Sequence, residues 1–131
     1  MITPAFGDLK VAYVIHCVGP NVSGRSDGEV GAARCDPSLL GDAFDATFEL
    51  ARRNHVEALA FPAVSCGVFG YDVHDASRVA LASAIAALRE HRGLRWVEFV
   101  LSSRQTYDAF LKAALDSPSL LLNRADDSSR T

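Results

Sequence analysis

An α/β domain with a parallel-rich sheet is the fold class this sequence predicts, and three observations predict it. Residues Ala58 to Val64 are almost wholly apolar, as a strand covered on both faces requires. A loop of small residues then leads into helical periodicity from Asp72. Strand-like and helix-like segments alternate along the chain, which is the pattern of βαβ units. At 131 residues, 49% of them apolar, the chain is long enough for one core.

Taken in order, Met1 to Pro4 reads as the end of a strand, and Ala5 to Lys10 as a short loop with its turn at Gly7-Asp8. Val11 to Val18 follows as a β-branched and aromatic strand that Gly19-Pro20 stops, with His16 placed in it as a core histidine. Asn21 to Cys35 is a polar surface loop. Asp36-Pro37 opens a helix, aspartate accepting from first-turn N–H groups and proline taking a position that needs no donor. Leu40, Phe44, Phe48 and Ala51 give it one apolar face, and Arg52, Arg53 and Asn54 suit its end, the arginines against the negative pole.

Asp72 caps the next helix with Asp75 three residues on, and Val79, Ala82, Ile85 and Leu88 are its expected buried face. Arg95 to Leu101 is a further strand, and Ser103 caps a last helix whose packing stripe is Tyr107, Phe110, Leu111, Ala114 and Leu115. The domain is expected to occupy residues 1–116, and residues 117–131 are too polar after Leu122 to bury, which predicts a mobile tail.

Composition narrows the function. A net charge of −3 without a basic stripe argues against a nucleic-acid partner. No apolar run reaches membrane-spanning length and no signal core is present, so the expected location is cytoplasmic or nuclear. Cys17, Cys35 and Cys66 are odd in number and lack paired spacing, which favours free thiols. A zinc site can be drawn from His16, Cys17, Cys35 and His74, but no ligand spacing supports it, and neither metal nor cofactor is expected.

The loop after the central strand is the candidate site. Open α/β sheets bind ligands beyond the carboxyl ends of their strands, and Gly67 and Gly70 could adopt positive φ, gathering successive N–H groups into an anion nest. The same residues fail three other motifs. No lysine completes a phosphate loop of the Walker kind, Gly67-x-x-Gly70 is only half of a dinucleotide fingerprint, and Asp72 stands where a cysteine phosphatase would need arginine. An ordinary strand-to-helix turn fits the local pattern equally. Cys66, near a helix amino terminus, has no histidine placed to activate it as a nucleophile.

Ile2-Thr3-Pro4, Tyr13-Val-Ile-His-Cys-Val-Gly-Pro20 and Phe61-Pro-Ala-Val-Ser-Cys-Gly-Val-Phe-Gly-Tyr71, in that order and spacing, resemble the middle and carboxyl half of a macro domain. The resemblance implies a three-layer α/β/α fold with a mixed, mostly parallel sheet that binds ADP-ribose or ADP-ribosylated molecules. Some members hydrolyse ADP-ribosyl or O-acetyl-ADP-ribose esters. Carried over by position, Ser65, Cys66, Gly67, Val68, Phe69, Gly70 and Tyr71 would surround the diphosphate and distal ribose, with one aromatic face among them. Tyr71 is followed by Asp72 where proline is usual.

The family's Asn-Ala-Asn stretch and glycine-rich first loop, which precede the Ile-Thr-Pro strand, are not among these residues, so the domain is expected to be amino-terminally truncated and no catalytic residue is assigned. A truncated or scaffold protein that keeps the core without binding ligand is the alternative. In either case the strand at Val11 to Val18 is expected to present an open edge for self-association.

Overall fold

A computed structural model describes residues 1–23 and 37–117. Their elements are β1 (Ile2–Pro4), β2 (Tyr13–Ile15), α1 (Pro37–Arg53), β3 (Ala58–Phe61), α2 (Val73–Glu90), β4 (Trp96–Phe99) and α3 (Arg104–Leu115). Asp36 and Cys35 lie outside the described residues, as do residues 118–131, where most of the expected tail falls.

The strands form two ladders. β1 pairs antiparallel with β2 in the register Ile2↔Ile15, Thr3↔Val14, Pro4↔Tyr13, and Gly7 takes φ 64° in the turn between them. β3 pairs parallel with β4 from Ala58↔Trp96 to Phe61↔Phe99, the intervening α2 making the crossover that a parallel pair needs. The α/β class and the mixed, parallel-containing strand pairing agree with expectation. Each strand is shorter than its apolar run, and β3 stops where Pro62 has no N–H to continue the ladder.

The core lies on one face of β3–β4. Leu59, Phe61, Val97 and Phe99 turn toward the helices, while Ala58, Ala60, Trp96 and Glu98 are exposed on the other side. β3 is therefore not covered on both faces by described residues, and the second helical layer expected of a three-layer domain is not among them. Phe61 is the hub. Its ring lies 5.3 Å from Phe44, 5.5 Å from Phe48 and 5.7 Å from Phe99, and Phe99 continues the cluster to Phe110 at 5.2 Å.

The α1 face is as its spacing predicts, with Leu40, Phe44, Phe48 and Ala51 all buried. Its carboxyl end holds Glu49 between Arg52 and Arg53, at 2.7 and 2.8 Å, and these guanidiniums lower the Glu49 pKa to about 2. The left-handed residue after the helix is His55, φ 55°, rather than Asn54, whose amide instead donates to the Leu50 carbonyl at 2.8 Å.

Two helical faces differ from their sequence periodicity. In α2 the buried residues are Ala76, Ser77, Ala80, Ala84 and Ala87, whereas Ala82 and Leu88 are exposed. The buried face has rotated toward the alanines because α2 lies between α1 and α3, and small side chains let three helices approach closely. In α3 only Ala109 and Phe110 are buried. Tyr107, Leu111 and Leu115 stay exposed and Ala114 is partly buried, because α3 packs on α2 and Phe99 along one side that these three residues do not face. His16 also departs from expectation: it is exposed, its Nε2 3.1 Å from Thr3 Oγ1.

These faces make a direct test. Ala84→Leu should destabilise the protein by about 1–3 kcal/mol through overpacking, and Ala82→Leu should stay within about 0.5 kcal/mol, both read from urea unfolding. Equal losses would place the α2 face wrongly. Phe61→Ala should cost about 3–5 kcal/mol in the same measurement.

Candidate functional site

Pro62 to Asp72 connects β3 to α2 at the carboxyl edge of the parallel pair, and the Ser102–Ser103 turn after β4 lies at the same edge. Phe61, locked in the aromatic cluster, fixes where this loop starts. Its end is fixed by Asp72, whose carboxylate accepts from His74 N at 2.9 Å and Asp75 N at 3.0 Å as the N-cap of α2. That cap answers the departure from proline. It also satisfies donors of the first turn, so the helix terminus is already occupied by a carboxylate of its own.

Within the loop, Val64 N donates to Pro62 O, Cys66 N to Ala63 O, Gly70 N to Gly67 O and Tyr71 N to Ser65 O, at 3.0 to 3.2 Å. The N–H groups of Ser65, Gly67, Val68 and Phe69 have no partner among the described residues. Those of Gly67, Val68 and Phe69 are consecutive and belong to exposed residues, Val68 being 87% accessible. A run of unsatisfied donors on a fixed backbone suits an anion with several acceptor oxygens.

The backbone strain is not where the glycine spacing suggests. Positive φ falls on Ser65 at 65° and Gly70 at 69°, whereas Gly67 does not need the left-handed region. A side chain at Gly67 would meet nothing within 4 Å. Gly67 therefore keeps the outer surface of the loop bare rather than relieving a turn. Within this loop Ser65 is the non-glycine residue at positive φ, and its Oγ is buried without a hydrogen-bond partner among the described residues.

The remaining proposed residues divide by burial. Phe69 offers an exposed ring at the loop tip. Tyr71 is only 7% exposed and packs in the core cluster, so it anchors the loop from beneath. Cys66 is half-buried, its thiol donating to Val64 O at 3.5 Å. Burial, and secondarily the Asp72 charge, push its pKa up rather than down, which removes the thiolate a nucleophile would need.

The segment after β2, expected as a strand stop at Gly19-Pro20 followed by the start of a surface loop at Asn21, braces the site loop. A Cβ on Gly19 would collide with Ser65 Oγ and stand 2.8 Å from Val64 Cγ1, Val22 N donates to Phe69 O at 2.8 Å, and Gly70 lies against the Ser23 backbone. Asn21 Oδ1 accepts from Ser23 N at 3.0 Å and from Ser23 Oγ at 2.7 Å. Asn21 with Ser23 two residues on is the available sequence signal for such a turn. Among the described residues no group of histidine, cysteine and carboxylate side chains could hold a metal ion, and no helix is long and apolar enough to cross a membrane.

Comparison with known proteins places this geometry. The family model described as "Macro domain" matches residues 1–80. A macro domain-containing protein of Caldanaerobacter subterraneus subsp. tengcongensis is 36% identical over 107 residues, 82% of this chain and 57% of its own length. An O-acetyl-ADP-ribose deacetylase of Klebsiella pneumoniae is 35% identical over 100 residues, 76% of this chain and 53% of its own. Among solved structures, a variant of the Oceanobacillus iheyensis macrodomain with ADPR superposes with a TM-score of 0.73 at 28% identity, covering 86% of this chain and 56% of that one. The chain thus spans about half the length of the curated relatives it matches. With the family model, the relatives and the fold in agreement, this chain belongs to the macro domain family.

Proposed function

We propose that this chain binds ADP-ribose, free or attached to another molecule, and that the loop from Ser65 to Tyr71 receives its diphosphate. The observation that carries the proposal is the run of unpartnered, exposed N–H groups at Gly67, Val68 and Phe69, beside a Phe69 ring able to lie against a sugar. Relatives support the ligand class: one is a deacetylase of O-acetyl-ADP-ribose and another macrodomain was solved with ADPR. Backbone donors suit a diphosphate because they need no cationic side chain, in keeping with the acidic composition.

Hydrolysis of ADP-ribosyl or acetyl esters is the further reading. Within the loop it has no nucleophile in Cys66, whose thiol is held protonated, so any such reaction would rest on an activated water. The odd, unpaired cysteine spacing suits a reducing compartment, and a cytoplasmic or nuclear location is part of this proposal.

Calorimetric titration with ADP-ribose tests the loop. Gly67→Val should weaken binding by about 1–3 kcal/mol, because its methyl groups would stand where the phosphate approaches these donors. Its melting temperature should match wild type, since a Cβ there meets nothing within 4 Å. Wild-type affinity in a folded Gly67→Val protein would overturn the assignment, and no heat from wild type would favour the scaffold alternative.

Cys66 gives a second test. Its raised pKa means that folding favours the neutral thiol, a preference fully present below the ordinary cysteine pKa and lost as pH rises through the raised one. Alkylation of Cys66 by iodoacetamide, followed by mass spectrometry, should therefore lag behind an unfolded control at neutral pH and catch up only in alkali. Cys66→Ser should keep any hydrolytic activity within about tenfold of wild type.

A further inference from the structure

Two peptide groups of the site loop are tied at both ends. Cys66 N donates to Ala63 O while Ser65 O accepts from Tyr71 N, which fixes the peptide joining Ser65 to Cys66. Gly70 N donates to Gly67 O while Phe69 O accepts from Val22 N, which fixes the peptide joining Phe69 to Gly70. The exposed donors Gly67 N, Val68 N and Phe69 N lie between these ties, so their directions follow from where the ties stand. One segment, remote in sequence, reaches both. Val22 bonds to Phe69 O at 2.8 Å, and Gly19 packs on Ser65.

Ser65 is held in a costly state. It takes φ 65° although it is not glycine, and its Oγ is buried with no hydrogen-bond partner among the described residues. Such a state persists only where the surroundings over-determine it. The surroundings here are Gly19: a Cβ on it would collide with Ser65 Oγ and stand 2.8 Å from Val64 Cγ1 and 3.4 Å from Ser65 Cβ. The Ser65 hydroxyl therefore fills the space that a side chain at position 19 would take. Gly19 itself is not at positive φ, so the position requires the missing Cβ and not backbone freedom.

We infer that Gly19 is the positioning residue of the site loop: its bare Cα lets Ser65 seat against the Gly19–Ser23 segment, and that seating, with the Val22 bond to Phe69 O, aims the amides of Gly67, Val68 and Phe69 at one anion. The inference rests on the ADP-ribose reading for the identity of the anion, whereas the aiming of the amides belongs to the chain alone. Gly19 acts through Ser65 and not by touching the ligand. Asn21 keeps the segment in shape, its Oδ1 accepting from Ser23 N and Ser23 Oγ.

The test is a double-mutant cycle in the full 131-residue chain. It combines Gly19→Ala with Ser65→Gly, which removes the side chain that the new methyl would strike and tolerates the same φ. ADP-ribose affinity is read by calorimetry, the loop amides by NMR of the ligand-free protein, and the melting temperature alongside. Gly19→Ala should weaken binding at least about tenfold in the wild-type background and less than about threefold in the Ser65→Gly background. The Gly67, Val68 and Phe69 resonances should move in the single variant and return toward the Ser65→Gly positions in the double. A lowered melting temperature with unchanged affinity and unmoved amides would make Gly19 merely structural and overturn the proposal, as would equal losses of affinity in both backgrounds. Val22→Pro is the second variant and decides the matter if Gly19→Ala does not fold. It keeps a turn that Asn21 can lead and deletes the N–H that holds Phe69 O. Its affinity should fall about fivefold with a shifted Phe69 amide, and wild-type affinity with an unmoved amide would refute the inference. No heat from the wild type would sink the ADP-ribose reading alone, and the amide resonances would then judge Gly19 by themselves: moved and rescued supports the positioning role, unmoved overturns it.

Discussion

The position of Phe61 governs most of this molecule. It is the last residue of β3, and its ring joins two residues of α1 to Phe99 of β4, through which α3 is reached by way of Phe110. Aromatic pairs in tilted and offset arrangements contribute beyond their buried area, and here one such set ties four elements together. Because the candidate loop begins at the next residue, the rigidity of the core is passed directly to the backbone that presents Gly67, Val68 and Phe69. A loop held this way can keep unsatisfied N–H groups in place without a ligand to order them.

At the other end of the loop a carboxylate of the chain itself occupies the α2 terminus. Asp72 occupies donors of the first turn of α2, so the helix terminus is satisfied from within the chain and the unpartnered amides lie in the loop itself. The same carboxylate helps to keep Cys66 protonated. Cap and thiol thus form one electrostatic unit, in which the carboxylate that caps α2 also disfavours the Cys66 thiolate. Gly19 to Ser23 completes the unit from the opposite side, pressing against Ser65 and bonding to Phe69, so the β1–β2 ladder is coupled to the site although it lies outside the aromatic core.

The order and type of every described helix, the three principal strands, the caps at Asp72 and Ser103 and the presence of a loop between β3 and α2 were legible in the chain, because each rests on local chemistry: apolar spacing, a short polar cap, small residues after an apolar run. The family resemblance carried by Tyr13 to Pro20 and Phe61 to Tyr71 was legible for the same reason, being a property of contiguous residues. What stayed hidden depends on neighbours distant in the chain. Ala82 and Ala84 are chemically identical, and only the placement of α2 between α1 and α3 decides that one is buried and the other exposed. Tyr71 and Phe69 are both aromatic residues of one loop, and tertiary packing alone sends the first into the core and leaves the second partly exposed. Likewise the spacing of Gly67 and Gly70 announced a turn, but positive φ falls on Gly70 and on Ser65, which packs against Gly19, and not on Gly67. Sequence by itself determined the elements and their chemistry; the tertiary structure decided which face each one buries, because burial is set by what lies opposite and not by the residue that is buried.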